Sequence, residues 1–250
     1  MTFAGQAFLI TGGASGIGLA VARLVVQQGG AVGILDRDAT ALAQATSQMG
    51  GACHGLPCDV SDPVQVQQAV SSTVERLGRL NAVVNGAGVD HVARLDEITD
   101  EAWQRTLAVN LTGTMVVCRA AVPHLRRSGG GTIVNISSGA GLSPLPGRSA
   151  YCATKAGVIM FSKALAMELA ADHIRVNAVC PGAVDTPLFR SSWEEQQDPQ
   201  GTLQTIKERY ALKRVAAPEE IAQAVLYLSS SASSYVTGTA HAVDGGRTFH

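Results

Sequence analysis

Tyr151 and Lys155 stand four positions apart in "YCATK", directly after the proline-rich turn "LSPLPGRS". Residues at i and i+4 are neighbours on a helix surface, so this spacing sets a phenol beside an ammonium. Taken alone the two form an ordinary surface pair, and they become chemistry only when other groups converge on them. A glycine-rich stretch supplies the reason for convergence: "TGGASGIG" (11–18) spaces Gly12, Gly16 and Gly18 as T-G-x-x-x-G-x-G. Missing side chains permit a tight turn and let a diphosphate approach the backbone, where the free N–H groups of a helix start meet its charge. Asp36 follows eighteen positions after Gly18, where an acid can grip the hydroxyls of an adenosine ribose. A carboxylate there repels a 2′-phosphate, and the glycine turn holds no basic residue to offset it, although Arg37 follows immediately. The residues therefore predict a dinucleotide site that favours NAD over NADP.

The elements that must position these groups alternate along the chain. Short runs rich in Val, Ile and Ala predict strands at 7–11, 31–36, 52–57, 81–86, 131–137, 174–181 and 240–245. Between them, helices are predicted near 16–29, 39–49, 62–77, 100–127, 150–171 and 218–229. Three starts carry capping signals: Ser61-Asp62-Pro63, Thr99-Asp100-Glu101 and Ala217-Pro218-Glu219-Glu220. Near-continuously apolar strands, each followed by a helix, imply a parallel sheet covered on both faces with right-handed crossovers. The expected architecture is a doubly wound, Rossmann-like α/β fold in one domain over 1–250. Ser138 falls at the carboxyl end of a predicted central strand, thirteen positions before Tyr151. Open α/β sheets bind ligands outside those ends, so Ser138, Tyr151 and Lys155 can meet beside a bound cofactor. The irregular exception is the polar insertion 186–210, "TPLFRSSWEEQQDPQGTLQTIKERY", expected as a lid or recognition loop.

Composition narrows the partners. The chain has 250 residues, 46% hydrophobic and 16% charged, enough for one large core. A net charge of −1 lacks the cationic footprint that nucleic acid or an anionic membrane would demand. No apolar run reads as the ~18 residues of a membrane span, and "MTFAGQAFLITGG" has no basic leader, so a cytoplasmic protein is expected. Five scattered cysteines (Cys53, Cys58, Cys118, Cys152, Cys180) form no C-x-x-C pair, and the six histidines form no H-x-x-x-H pair. They predict reduced, mostly buried thiols and no metal.

As a set, "TGGASGIG", "DV" (59–60), "NGAG" (85–88), Asn110, Ser138, "YCATK" and "PGAVDT" (181–186) resemble the short-chain dehydrogenase/reductase family in its compact form, over essentially the whole chain. The resemblance implies that Tyr151 is the general acid/base exchanging a proton with the substrate oxygen while hydride moves to or from nicotinamide. Free tyrosine titrates near ~10, so Lys155 is expected to stabilise the tyrosinate, lower its pKa and hydrogen-bond the nicotinamide ribose. Ser138 would orient the substrate oxygen, and Asn110 would complete a proton relay through water. For the cofactor, the resemblance assigns Ser15 and Ile17 beside the glycines, Asp59 at the adenine amino group with Val60 next to it, and Asn85, Ala87 and Gly88 near the adenosine half. It assigns Pro181, Gly182, Val184 and Thr186 to the carboxamide end. Gly86 departs from the family's Asn-Asn-Ala-Gly, where a second Asn stands.

Rival readings carry other signatures. Epimerases and dehydratases of this fold resemble longer chains with a different glycine spacing, and enoyl reductases separate Tyr and Lys by more than one turn. A nucleotide-binding protein without turnover would be expected to lack Ser, Tyr or Lys. The substrate is expected to meet His91, Ala140, Leu145 and Arg148 and the insertion flanked by Arg190 and Arg209. An arginine cluster binds a carboxylate or sulfonate bidentately, which favours a small polar or acidic alcohol, and the pattern of Arg148, "VCPGAVDT" (179–186) and Arg209 resembles family members that oxidise 3-hydroxy acids. The alternative is a neutral alicyclic, steroid-like or polyol substrate admitted by Leu142, Leu145, Leu188 and Trp193. Relatives commonly form tetramers through the long helices and the last strand, so 240–250 is expected at a subunit contact.

Overall fold

The computed structural model describes residues 2–249, so His250 of the expected contact segment lies outside the described residues. Seven parallel strands form one sheet in the order β3-β2-β1-β4-β5-β6-β7. They are β1 (Ala7–Thr11), β2 (Ala31–Asp36), β3 (Cys53–Pro57), β4 (Ala82–Asn85), β5 (Gly131–Ile136), β6 (Ile174–Pro181) and β7 (Ala240–Val243). The helices that follow them are α1 (Gly16–Gln27), α2 (Ala39–Met49), α3 (Pro63–Leu77), α4 (Asp100–Leu107), α5 (Thr114–Arg127), α6 (Ser149–Glu168), α7 (Pro187–Arg190), α8 (Pro199–Glu208) and α9 (Pro218–Ser229). The doubly wound expectation holds.

The period-2 alternation of a strand divides the core into two layers. Phe8 and Ile10 of β1 pack with Val21 and Val25 of α1, Leu42 of α2 and Ile221 and Val225 of α9. Leu9, between them in sequence, faces the other way, with Val66 and Val70 of α3, Val117 and Leu125 of α5 and Ala166 of α6. Each fully buried aliphatic of this kind contributes on the order of 2 kcal/mol, so a one-residue slip of register would sacrifice both layers. Register is in turn what brings the strand ends level: Thr11 pairs with Asn85 and Leu35, and Asn85 with Asn135.

Caps set the helix starts as their signals predict. Asp62 accepts from the Val64 and Gln65 N–H groups, Thr99 from Ala102, and the Glu220 carboxylate from the Ala217 N–H. Two differences from expectation matter for the site. The helix predicted at 100–127 is interrupted by a π-helical turn, Ala108–Gly113, which swings Asn110 inward. The span Asp100–Arg127 is long and apolar enough to cross a membrane, contrary to the sequence reading, but 61% of its most apolar window is buried inside the protein, as in a core helix. The insertion expected as a loop instead carries α7 and α8, started by Thr186-Pro187 and Asp198-Pro199. Thr186 accepts from the Phe189 N–H at 3.2 Å and Asp198 from the Gly201 N–H at 3.0 Å.

Candidate active site

One cavity of about 630 Å³ lies outside the carboxyl ends of β1, β2, β4, β5 and β6, where the winding of the sheet reverses. At one end the glycine turn is stapled to the β4 loop: the Thr11 hydroxyl accepts from the Gly86 N–H at 3.1 Å and the Ala87 N–H at 3.2 Å. A Cβ on Gly12 (φ +65) would stand 2.9 Å from the Gly86 and Ala87 main chain, and one on Gly18 only 2.2 Å from the Gly12 carbonyl oxygen. At Gly86 a Cβ would stand 2.8 Å from the Thr11 carbonyl oxygen. Ser15 precedes α1 without capping it by its side chain, and no acid stands in the first turn. The first N–H groups of α1 are therefore open to an anion.

Asp36 ends β2 with both oxygens oriented by main-chain donors, Ala14 N–H at 3.1 Å and Asp38 N–H at 3.1 Å. Asp59 lines the same end; both guanidinium nitrogens of Arg105 donate to its Oδ2 at 3.1 and 3.2 Å, and Ser61 Oγ to its Oδ1 at 2.6 Å. Burial alone would raise that carboxyl's pKa, but Ser61 and Arg105 together hold it below its ordinary range. This end fits a dinucleotide: an open helix start, a cradle that side chains would fill, and a fixed carboxylate.

At the other end β5 and α6 bring Ser138, Tyr151 and Lys155 to one wall. Lys155 is buried, and its Nζ donates to the Ile136 carbonyl at 2.9 Å while standing 5.5 Å from the Tyr151 ring centroid. The Ser137 hydroxyl donates to the Lys155 carbonyl at 2.7 Å, tying strand end to helix. The Ser138 hydroxyl accepts from the Ala140 N–H at 3.0 Å and faces the phenol. Asp90, from the loop after β4, pairs through Oδ2 with Arg148 Nη1 at 2.7 Å, its side chain only 8% exposed. Both members of that pair line the cavity beside Tyr151.

The electrostatics correct one expectation. Tyr151 sits deep in the cavity wall, and burial, reinforced by the Asp90 charge, pushes its pKa up to about 12; Ser138 and Arg148 oppose this without reversing it. Lys155, expected to draw the phenol down, is itself driven to about 8 by burial, with Asp90 partly opposing. For the phenol, desolvation and the Asp90 charge outweigh the Ser138 hydrogen bond and the Arg148 charge.

The sequence profile described as enoyl-(acyl carrier protein) reductase matches residues 12–248. The chain belongs to the short-chain dehydrogenase/reductase family. Within that family it is 37% identical to D-threitol dehydrogenase of Mycolicibacterium smegmatis, over 98% of this chain and 93% of that one. Among solved structures it superposes on levodione reductase with a TM-score of 0.95 at 29% identity, covering 98% of both chains. A 3-ketoacyl-(acyl-carrier-protein) reductase from Brucella melitensis complexed with NADH gives a TM-score of 0.90 at 32% identity, covering 98% of this chain and 99% of that one.

Most of the residues read from the sequence and its family resemblance line this cavity: Gly12, Ser15, Gly16, Ile17, Gly18, Asp36, Arg37, Asp59, Val60, Ala87, Gly88, Ser138, Ala140, Leu145, Arg148, Tyr151, Lys155, Pro181, Gly182, Val184, Thr186 and Arg209. Four do not. Asn85 is buried beneath it, donating to Asn135 Oδ1 at 2.8 Å, a cross-link between β4 and β5 rather than a cofactor contact. Asn110 is likewise off the wall: its amide accepts from the Val89 N–H and donates to the Val89 carbonyl, both at 2.8 Å, and so holds the β4 loop. His91 points to solvent, and its neighbours Asp90 and Val92 take the wall instead. Arg190 lies outside on α7, forked onto Asp185 at 2.7 and 2.9 Å.

Of the alternative apolar set, Leu145 and Leu188 reach the cavity; Leu142 and Trp193 do not. Sequence reasoning missed Asp90 and Arg105. An acid directly after "NGAGV" was a readable signal for the first; the second reaches Asp59 only through folding. Burial pushes the Cys53, Cys58 and Cys180 thiols up to about 11 and Cys118 to about 12, so they are inert, as expected of core cysteines.

Proposed function

We propose that the protein interconverts a secondary alcohol and a ketone with NAD(H), Tyr151 exchanging the proton at the substrate oxygen. The observation that carries this reading is the convergence of Ser138, Tyr151 and Lys155 on the wall of the cavity that also holds the glycine turn and Asp36. A nicotinamide coenzyme, when bound, supplies or accepts the hydride. Gly12, Gly16, Gly18 and the first turn of α1 would hold its diphosphate, and Asp36 its adenosine ribose, which disfavours a 2′-phosphate and supports NAD over NADP.

In oxidation the Tyr151 oxygen takes the hydroxyl proton, and in reduction it returns it. Ser138 donates toward the same oxygen and fixes its position. Lys155, anchored on Ile136, keeps a positive charge beside the phenol and so favours the tyrosinate when the proton leaves. The high pKa of the phenol suits it to hold its proton until a carbonyl oxygen develops negative charge.

The acidic substrate favoured by sequence loses its main support. Arg148 is neutralised by Asp90 and Arg190 lies outside on Asp185. An anion beside Tyr151 would meet the Asp90 carboxylate, so an uncharged hydroxylated substrate is the better reading, in keeping with the threitol relative. The acidic reading keeps one observation: Arg209 lines the cavity, exposed and without an ion pair among the described residues. A cytoplasmic homotetramer, assembled through the long helices and β7, is part of the proposal; Met160 and Met167 lie exposed along α6 and would be covered by it.

A substrate panel followed by nicotinamide absorbance, with wild type and Tyr151→Phe, tests the assignment. The variant should lose at least about 100-fold in kcat while binding NADH within about 3-fold of wild type. Equal turnover by both proteins would remove Tyr151 from the chemistry.

A further inference from the structure

The Asp90–Arg148 pair is unusual in its placement: a salt bridge set in the wall of a reaction cavity, with both members facing it. Its side chains are only 8% and 21% exposed. Asp90 Oδ2 is taken by the guanidinium at 2.7 Å, while Oδ1 is buried and accepts no hydrogen bond among the described residues. The His91 main-chain N–H faces the carboxylate, without bonding geometry to Oδ1. An unmet carboxylate oxygen beneath the cavity wall is costly until a donor reaches it.

The donor must be neutral or nearly so. An ammonium would be repelled by Arg148 and Lys155, and a carboxylate has no proton to give the unmet oxygen. A hydroxyl meets both halves of the pair, giving its proton to the carboxylate and accepting from the guanidinium. The pair stands at the start of α6: Arg148 precedes Tyr151 by three residues, one turn, and both are on the cavity wall. A hydroxyl held by the pair thus belongs to the same small molecule as the oxygen at Tyr151, whose phenol feels the Asp90 charge.

We infer that Asp90, held by Arg148, is the specificity-determining residue that binds a second hydroxyl of the substrate, selecting diols and polyols over simple alcohols. The inference rests on the alcohol–ketone reading of the site and adds to it the class of substrate. Arg148 acts through Asp90 as a positioning residue. The apolar wall of Val92, Leu145 and Leu188 would carry the carbon skeleton between the polar points.

Matched pairs test it: cis-cyclohexane-1,2-diol against cyclohexanol and 2,3-butanediol against 2-butanol, with 3-hydroxybutyrate as the anionic member. Wild type should prefer each diol by at least about 10-fold in kcat/KM, since a site built to bond a hydroxyl rejects the analogue that lacks it. In Asp90→Ala that ratio should fall to within about 2-fold, chiefly through KM for the diol. Asp90→Asn, which keeps the shape and one acceptor, guards against misfolding of the alanine variant and should give an intermediate ratio.

A ratio that survives Asp90→Ala, no diol preference in wild type, or a preference for 3-hydroxybutyrate over the diol would each overturn the inference. Calorimetry of the same compounds with the enzyme–NADH complex separates the two layers. If no alcohol is turned over yet diols bind more tightly than their partners in an Asp90-dependent way, the pair reading stands and the oxidoreductase reading falls. Turnover without Asp90-dependent selection gives the reverse.

Discussion

The two ends of the cavity are built from different materials. At the glycine end the wall is mainly backbone: Gly12 and Gly18 sit where side chains would collide, main-chain donors at Ala14 and Asp38 orient Asp36, and Arg105 holds Asp59. At the Tyr151 end the wall is side chains drawn from three separate segments, the loop after β4, the end of β5 and the start of α6, and it is charged: Asp90, Arg148 and Lys155 lie within one buried cluster. Backbone geometry tolerates almost no substitution but recognises a ligand shared by many enzymes. Side-chain clusters tolerate exchange and therefore carry what is particular to this protein.

The sharpest way to break this contrast is at the glycine end. Gly18→Ala places a methyl 2.2 Å from the Gly12 oxygen, so the turn must open, and NADH affinity should drop on the order of 100-fold. Fluorescence titration of NADH, with thermal unfolding to confirm the fold, gives the answer; affinity retained in a folded variant would show that close backbone approach is not what reads the coenzyme.

Lys155→Met probes the opposite end, where function works against stability. Burial depresses the Lys155 pKa from 10.5 to about 8, so the folded state binds its proton less well than the unfolded state. The wild-type fold therefore bears a cost that is full below about pH 8 and fades as pH rises to the ordinary lysine value. The variant should be dead in turnover yet more stable at pH 7, on the order of 2 kcal/mol after loss of the Ile136 bond, with the gain shrinking between those limits. Chemical denaturation at several pH values measures it, and a variant less stable than wild type at pH 7 would contradict the electrostatic account.

The smallest effect concerns Asp90→Asn and the pH profile. The Asp90 charge raises the pKa of Tyr151 and of Lys155 alike, against Ser138 and Arg148 acting on the phenol. Removing it lowers both, so whichever group governs the alkaline limb of kcat/KM, the limb should move to lower pH by roughly half a unit. An unmoved limb would mean that the carboxylate is already protonated in the working enzyme.

Much of this was legible in the chain. Every strand position read from apolar runs lies within a residue or two of an observed strand, and Thr11-Gly12, Asp36 and Tyr151-Lys155 announce themselves because their geometry is local: a turn, a strand end, one helical repeat. The helices of 186–210 were hidden by polarity, although Thr186-Pro187 and Asp198-Pro199 are capping signals in plain view. That Asn85 and Asn110 bond Asn135 and Val89 from off the cavity wall was not legible, because a polar residue inside a motif reads the same whether it faces a ligand or a neighbouring segment. Only packing distinguishes the two.

The sequence by itself determined the winding of the sheet, the phosphate-binding turn and the juxtaposition of phenol and ammonium, since each follows from periodicity or from conformational freedom over a few residues. The tertiary structure alone decided the charge state of the substrate wall. Arg148 reads as a free cation until folding brings Asp90, fifty-eight positions earlier, to within 2.7 Å of it. Coulomb energy and desolvation depend on distance and burial in space, neither of which spacing along the chain reveals.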